Sequence, residues 1–198
     1  MFVSSEPENY NGSMIRPFQK SIRVYADTSV FGGVFDQEFK VPSKLFFDAA
    51  FNGKSAIVGK ALKEGINPNL KDPNGRTALM LAAFNGHQQV AKLLIEAGAQ
   101  DSADNNGRTA LMFASTGPYP GTVKLLLQSG SKVNRIDGHE GWTALMFAAS
   151  EGQIDVVKLL IKHGAKITIK DTDGDTAESF ARQRGHLAVA NLLATLKK

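Results

Sequence analysis

The side chains able to do chemistry in this chain are few and dispersed. Asp27 closes a short alternating run, Ile22, Val24 and Ala26, and is followed at once by the hydroxyls of Thr28 and Ser29. An acid at a strand end can ligate a divalent metal, but one aspartate holds such an ion poorly, because hydrolytic metals need several converging oxygens. His87, His139, His163 and His186 lie apart, with no spacing to each other or to a carboxylate that suggests zinc. The run from Asp171 through Asp173 to Asp175 is superficially like a calcium loop. Phe180 and Arg182 stand near the place of its closing glutamate, so a hairpin tip is expected there instead. The chain has no cysteine, which excludes a disulfide framework, a thiolate zinc site and a thiol nucleophile. Neither a Ser, His and Asp constellation nor a glycine-rich phosphate loop is present. The expectation is a protein that is not an enzyme and carries no cofactor or metal.

The elements that would position these groups belong to an ordinary globular composition, 42% hydrophobic and 21% charged over 198 residues. A net charge of +4 is modest, and lysines alternate with acids instead of clustering, which argues against nucleic acid as a partner. The polar N-terminus carries Glu6 and Glu8 where a secretory signal would carry basic residues and then an apolar stretch. No run approaches the roughly 18 apolar residues of a membrane span. A monomer in the cytoplasm, away from membranes, is expected.

Aligned on itself, the chain yields three close copies: NGRTALMLAAFNGHQQVAKLLIEAGA from Asn74, NGRTALMFASTGPYPGTVKLLLQSGS from Asn106, and EGWTALMFAASEGQIDVVKLLIKHGA from Glu140. Thr77, Thr109, Thr143 and Thr176 recur at this period, which means a stacked solenoid. Degenerate copies start at Lys44 and Asp175, giving about five units, near 44–72, 73–104, 105–137, 138–171 and 172–198. In each, the threonine is placed to cap a first helix. Small residues such as Ala82 and Ala83 keep that helix thin, and Gly86 supplies a left-handed stop. Val90, Leu93 and Leu94 then recur at the spacing of a second helix, ended by Gly98. The methionines Met80, Met112 and Met146 are expected to pack between units. In the last helix Asn191 and Thr195 are expected outward, and Val189, Leu192, Leu193 and Leu196 inward.

These motifs resemble the ankyrin repeat, with Ala78-Leu79-Met80, Ala110-Leu111-Met112 and Ala144-Leu145-Met146 where that family carries Pro-Leu-His. The resemblance implies an all-α solenoid of helix-turn-helix units with hairpin loops. It further implies that the usual threonine to histidine bond is absent, that His87 and His186 brace the next loop, and that a concave groove of hairpin tips and first helices binds a protein. An adaptor or inhibitor of bacterial type follows from it.

Residues 22–50 do not follow the repeat and resemble the opening of a PIN-domain nuclease, in which Asp27 would match a metal-binding acid. The resemblance stops near Ala50, before further acids could converge. A metal-dependent ribonuclease built on Asp27 is the alternative reading. The expected arrangement is a disordered leader over 1–21 and a non-catalytic remnant over 22–43. Val30 to Phe39 would then cover Leu45, Phe46, Phe47 and Phe51 on the open face of the first unit.

Within the groove, the positions open to a partner are the residue before each threonine and those ending each first helix. They are Arg76, Arg108, Trp142 and Asp175 at the tips, with Phe84, Asn85, Ser150, Glu151 and Arg184 on the helices. Arg108 and Trp142, as exposed side chains of interface-favoured types, would form the centre. In the third unit Pro118 falls where Gly86, Gly152 and Gly185 sit, and proline cannot take a left-handed conformation. The first helix is therefore expected to end near Ser115 and Gly117 to take the left-handed position. The second helix is expected to start near Gly121 or Thr122, both helices being shortened, with Tyr119 projecting as a further partner contact.

Overall fold

A computed structural model describes residues 40–196, with side chains from Ser43 onward. Ten helices fall in this range and form five successive pairs. They are α1 (Lys40–Phe51) with α2 (Ser55–Lys63), α3 (Ala78–Phe84) with α4 (Gln88–Glu96), α5 (Ala110–Ser115) with α6 (Pro120–Gln128), α7 (Ala144–Ser150) with α8 (Ile154–Lys162), and α9 (Ala177–Gln183) with α10 (Leu187–Thr195). First helices pack on first helices and second on second from each pair to the next. The all-α helix-turn-helix solenoid expected from the repeat is the observed fold. The expectations for residues 1–39, including Asp27, the leader and the covering segment, lie outside the described residues.

Each pair buries what it cannot bury alone. Leu79, Leu94, Leu111, Leu126, Leu145, Leu160 and Leu193 are almost wholly inaccessible, as are the alanines of the first helices. At about 1.5–3 kcal/mol for a fully buried leucine side chain, this continuous core is what makes the stack stable. Phe46 and Phe47 are buried too, in a helix that packs on α2 and α3, while Leu45 is exposed. At the other end Leu196 is 47% exposed, a correction to its expected inward placing, and Leu192 is half-buried.

The threonine caps form as expected. The hydroxyls of Thr77, Thr109 and Thr143 accept from the amides of Met80, Met112 and Met146 at 3.3–3.4 Å. In return, each threonine amide donates to the methionine sulfur at 3.4–3.5 Å. The thioether is a weak acceptor, but it answers an amide that would otherwise open into the core. Ser179 does the same for Thr176, at 3.2 Å. The buried methionines are therefore caps as well as packing.

The turn carrying Pro118 departs from expectation. α5 does end at Ser115, but Gly117 is not left-handed, unlike Gly86 (φ 68°) in the preceding unit. The turn closes one residue early, the Tyr119 amide donating to the Gly117 carbonyl at 2.8 Å, because Pro120 has no amide to offer where Gln88 donates to Gly86. Pro120 then occupies the first turn of α6, where its missing N–H costs nothing, and α6 keeps the nine residues of α4 and α8. Only the first helix is shortened. Tyr119 does not project: it is half-buried, and its ring lies over Gly117 and over Gly86 of the preceding unit, where any added Cβ would collide with it.

Candidate partner-binding face

The hairpin tips are organised by one aspartate each. Oδ1 of Asp72 accepts from the amides of Asn74 and Arg76 at 2.8 Å, and Oδ1 of Asp104 accepts from those of Asn106 and Arg108 at 2.9 Å. Asp171 holds the amides of Asp173 and Asp175 in the same way. Asp137 holds the amides from His139 to Trp142, a tip with one residue more than the others. Adjacent tips are then joined backbone to backbone. Asn105 donates to Asn74, Gly138 to Asn106 and Thr172 to Glu140, at 2.8–3.0 Å. The tips thus form one continuous hydrogen-bonded edge.

Side chains at the position before each threonine divide into two kinds. Arg76 turns back so that Nε donates to Asp72 Oδ2 at 3.1 Å, and Arg108 does the same to Asp104 at 3.2 Å. Both arginines are buried, at 4% and 9% exposure, which corrects the expectation of exposed guanidinium groups at these tips. The reason is the Asp-to-Arg spacing of four across a tight turn, which makes a buried charged pair with satisfied hydrogen bonds. Burial raises the Asp72 carboxyl to about 6, against the hydrogen bonds it accepts and with a smaller push from Asp104 on the next tip. Burial likewise lowers Arg76, to about 10, so it stays charged at neutral pH.

Trp142 and Asp175 fill the same position in the last two units and have no such anchor. Trp142 is half-buried, lying 4.3 Å between ring centroids from Phe180 of the next unit and 5.0 Å from Phe147 of its own. The expectation of a freely exposed tryptophan is corrected to one packed across two units with part of its surface open. Asp175 is half-buried and its Oδ2 accepts from Gln183 Nε2 at 3.2 Å, which lays the carboxylate along the face of α9.

Below the tips runs a row of rings that the sequence reading missed. Phe113, Phe147 and Phe180 each stand four residues after their threonine, a periodic signal present in the sequence. Arg108 places its guanidinium over the Phe113 ring, 5.3 Å from its centroid, and Phe84 meets Phe113 edge-on at 6.3 Å. Such contacts contribute roughly 0.5–1.5 kcal/mol each beyond area burial.

At the helix ends, Glu151 and Arg184 are exposed, whereas Ser150 is buried and cannot offer itself to a partner without rearrangement. Asn85 and His87 both bond the Phe51 carbonyl of the preceding unit, at 2.8 and 2.9 Å, so His87 braces the turn before it and not the next loop. Among the described residues no group of three or more His, Asp or Glu is arranged to hold a metal ion, and no helix is long and apolar enough to cross a membrane.

The family model for ankyrin repeats (3 copies) matches residues 46–137 and 119–198. An ankyrin repeat-containing protein of Schizosaccharomyces pombe is 44% identical over 50 residues, covering 25% of this chain and 24% of that protein. The chain thus spans about a quarter of the length of the curated relative it matches. Neither finding supports the likeness of residues 22–50 to a PIN nuclease, and the family match begins only at residue 46.

Proposed function

The chain belongs to the ankyrin-repeat family, and from that premise we propose that it is a non-catalytic interaction module that grips a protein partner on the concave face of tips and first helices. The observation that carries this reading is the open part of Trp142, held by rings of two units on an edge whose backbone is tied tip to tip. A large, rigid, half-exposed aromatic is the kind of side chain that dominates interface energetics, because little conformational entropy remains to be lost on binding.

The contact set follows from exposure. Phe84, Asn85, Trp142, Glu151, Asp175 and Arg184 offer surface to the partner, with Tyr119 at the rim. Arg76, Arg108 and Ser150, being buried, act by keeping the face rigid. Photo-cross-linkers placed at Glu151 and Arg184, and for comparison at exposed Lys124 and Lys158 on the second helices, test the reading in cell extract. A partner protein captured from the first two positions and not from the second two is the expected result. Capture only from Lys124 and Lys158 would move the site to the opposite face.

A further inference from the structure

The charge on this face is unevenly distributed. In the second and third units the guanidinium groups of Arg76 and Arg108 are bound to Asp72 and Asp104. The other tip and helix-end positions there, such as Asn74, Asn106, Phe84 and Thr116, carry no charge. In the fourth and fifth units the same positions hold Glu140, Glu151, Asp173 and Asp175, opposed by Arg184, with His139 Nδ1 3.6 Å from Glu140. Arg182 is taken up by Glu178 at 2.9 Å. An acidic, aromatic surface therefore stands on a chain whose net charge is +4.

The molecule also shows what such a surface can receive. In the third unit the chain's own Arg108 stacks over Phe113 and pairs with the tip aspartate Asp104. The fifth unit keeps the ring, Phe180, and the tip aspartate, Asp171, whose Oδ1 holds the same two amides. It has Asp175 in place of the arginine, and Trp142 lies against the ring. A carboxylate thus stands where the second and third units hold a guanidinium, and Trp142 covers the ring.

We propose that the segment docking on the fourth and fifth units is basic, and that it sets an arginine against Trp142 and beside Asp175, with Glu151 adding to the attraction. This rests on the concave-face reading and names the chemistry of its partner. Guanidinium is favoured over ammonium because it stacks on an aromatic ring and meets a carboxylate with two donors at once. Charge complementarity of this kind sets specificity and association rate, and weakens with salt.

Trp142 is the single tryptophan, so its emission reports the site directly. The full chain is titrated with a short peptide alternating arginine and leucine, and with versions carrying lysine, glutamine or glutamate in place of arginine. The arginine peptide is expected to bind saturably, at least fivefold more tightly than the lysine version and tenfold more tightly than the glutamine version, with no response to glutamate. Asp175→Asn with Glu151→Gln should weaken it at least fivefold. Glu64→Gln with Glu96→Gln, exposed at the C-terminal ends of second helices, should leave it unchanged, circular dichroism confirming that both variants fold. No binding by the arginine peptide, equal binding of the glutamate peptide, or an unchanged affinity after the first pair of substitutions would overturn the proposal. Continued capture of a partner from Glu151 and Arg184 in the cross-linking experiment would show that only the charge assignment had failed.

Discussion

The second and third units and the fourth and fifth units use one structural position in opposite ways. Before Thr77 and Thr109 stands an arginine that turns inward and closes a buried pair with the aspartate opening its own tip. Before Thr143 and Thr176 stand Trp142 and Asp175, which reach along the face and stay partly open. The backbone framework is shared, down to the amides held by each tip aspartate and the hydrogen bonds from tip to tip. One half therefore commits the position to a buried ion pair and the other leaves it partly open. A repeat protein can make this division cheaply, because each unit answers mainly to its immediate neighbours.

Removing an inward arginine should have the largest effect. Arg76→Ala leaves the buried Asp72 carboxylate without its partner, and a loss of about 3 kcal/mol is expected in urea unfolding. A loss below about 1 kcal/mol would mean that the pair is not the anchor described. Trp142→Ala comes next. It removes the ring that bridges Phe147 and Phe180, so a loss of about 2 kcal/mol is expected, with Trp142→Phe recovering at least half. Equal losses from the two substitutions would place the effect outside the ring contacts.

These two cases also show what the sequence made legible. Repeat length, helix pairs and threonine caps are local or periodic properties, and all could be read before any coordinates. The inward turn of Arg76 and Arg108 was missed because a residue next to a cap looks the same whether it points in or out. The available signal was an aspartate four residues earlier, at Asp72 and Asp104. Phe113, Phe147 and Phe180 were passed over because a ring at helical spacing reads as core, which they largely are. Gly117 was misassigned because the turn was assumed to need a left-handed residue. The chain instead closes it one residue early and lets Pro120 start the next helix.

A pH-dependent effect of similar size sharpens the same contrast. Asp72 has a folded-state value near 6, above the ordinary 3.8, so the folded state holds more protons at this site between those values. Its contribution to stability is full below about pH 4 and is lost as pH rises through 6, by on the order of 1 kcal/mol per unit within that window. Carboxyl carbon titration by NMR should give Asp72 a midpoint near 6; a midpoint at or below 4 would remove the effect. The smallest effect is expected from Glu151→Gln, an exposed change that should alter stability by less than about 0.5 kcal/mol. A larger loss would show that the fourth unit's face is also committed to internal contacts.

The division between the two halves is tested most directly by amide hydrogen exchange on the full chain, with and without the partner captured at Glu151 and Arg184. Protection gained in the tips from Asp137 to Thr143 and from Asp171 to Thr176, with the tips around Asp72 and Asp104 unchanged, is the predicted result. Protection centred on the tips of Asp72 and Asp104, or on the second helices, would contradict it.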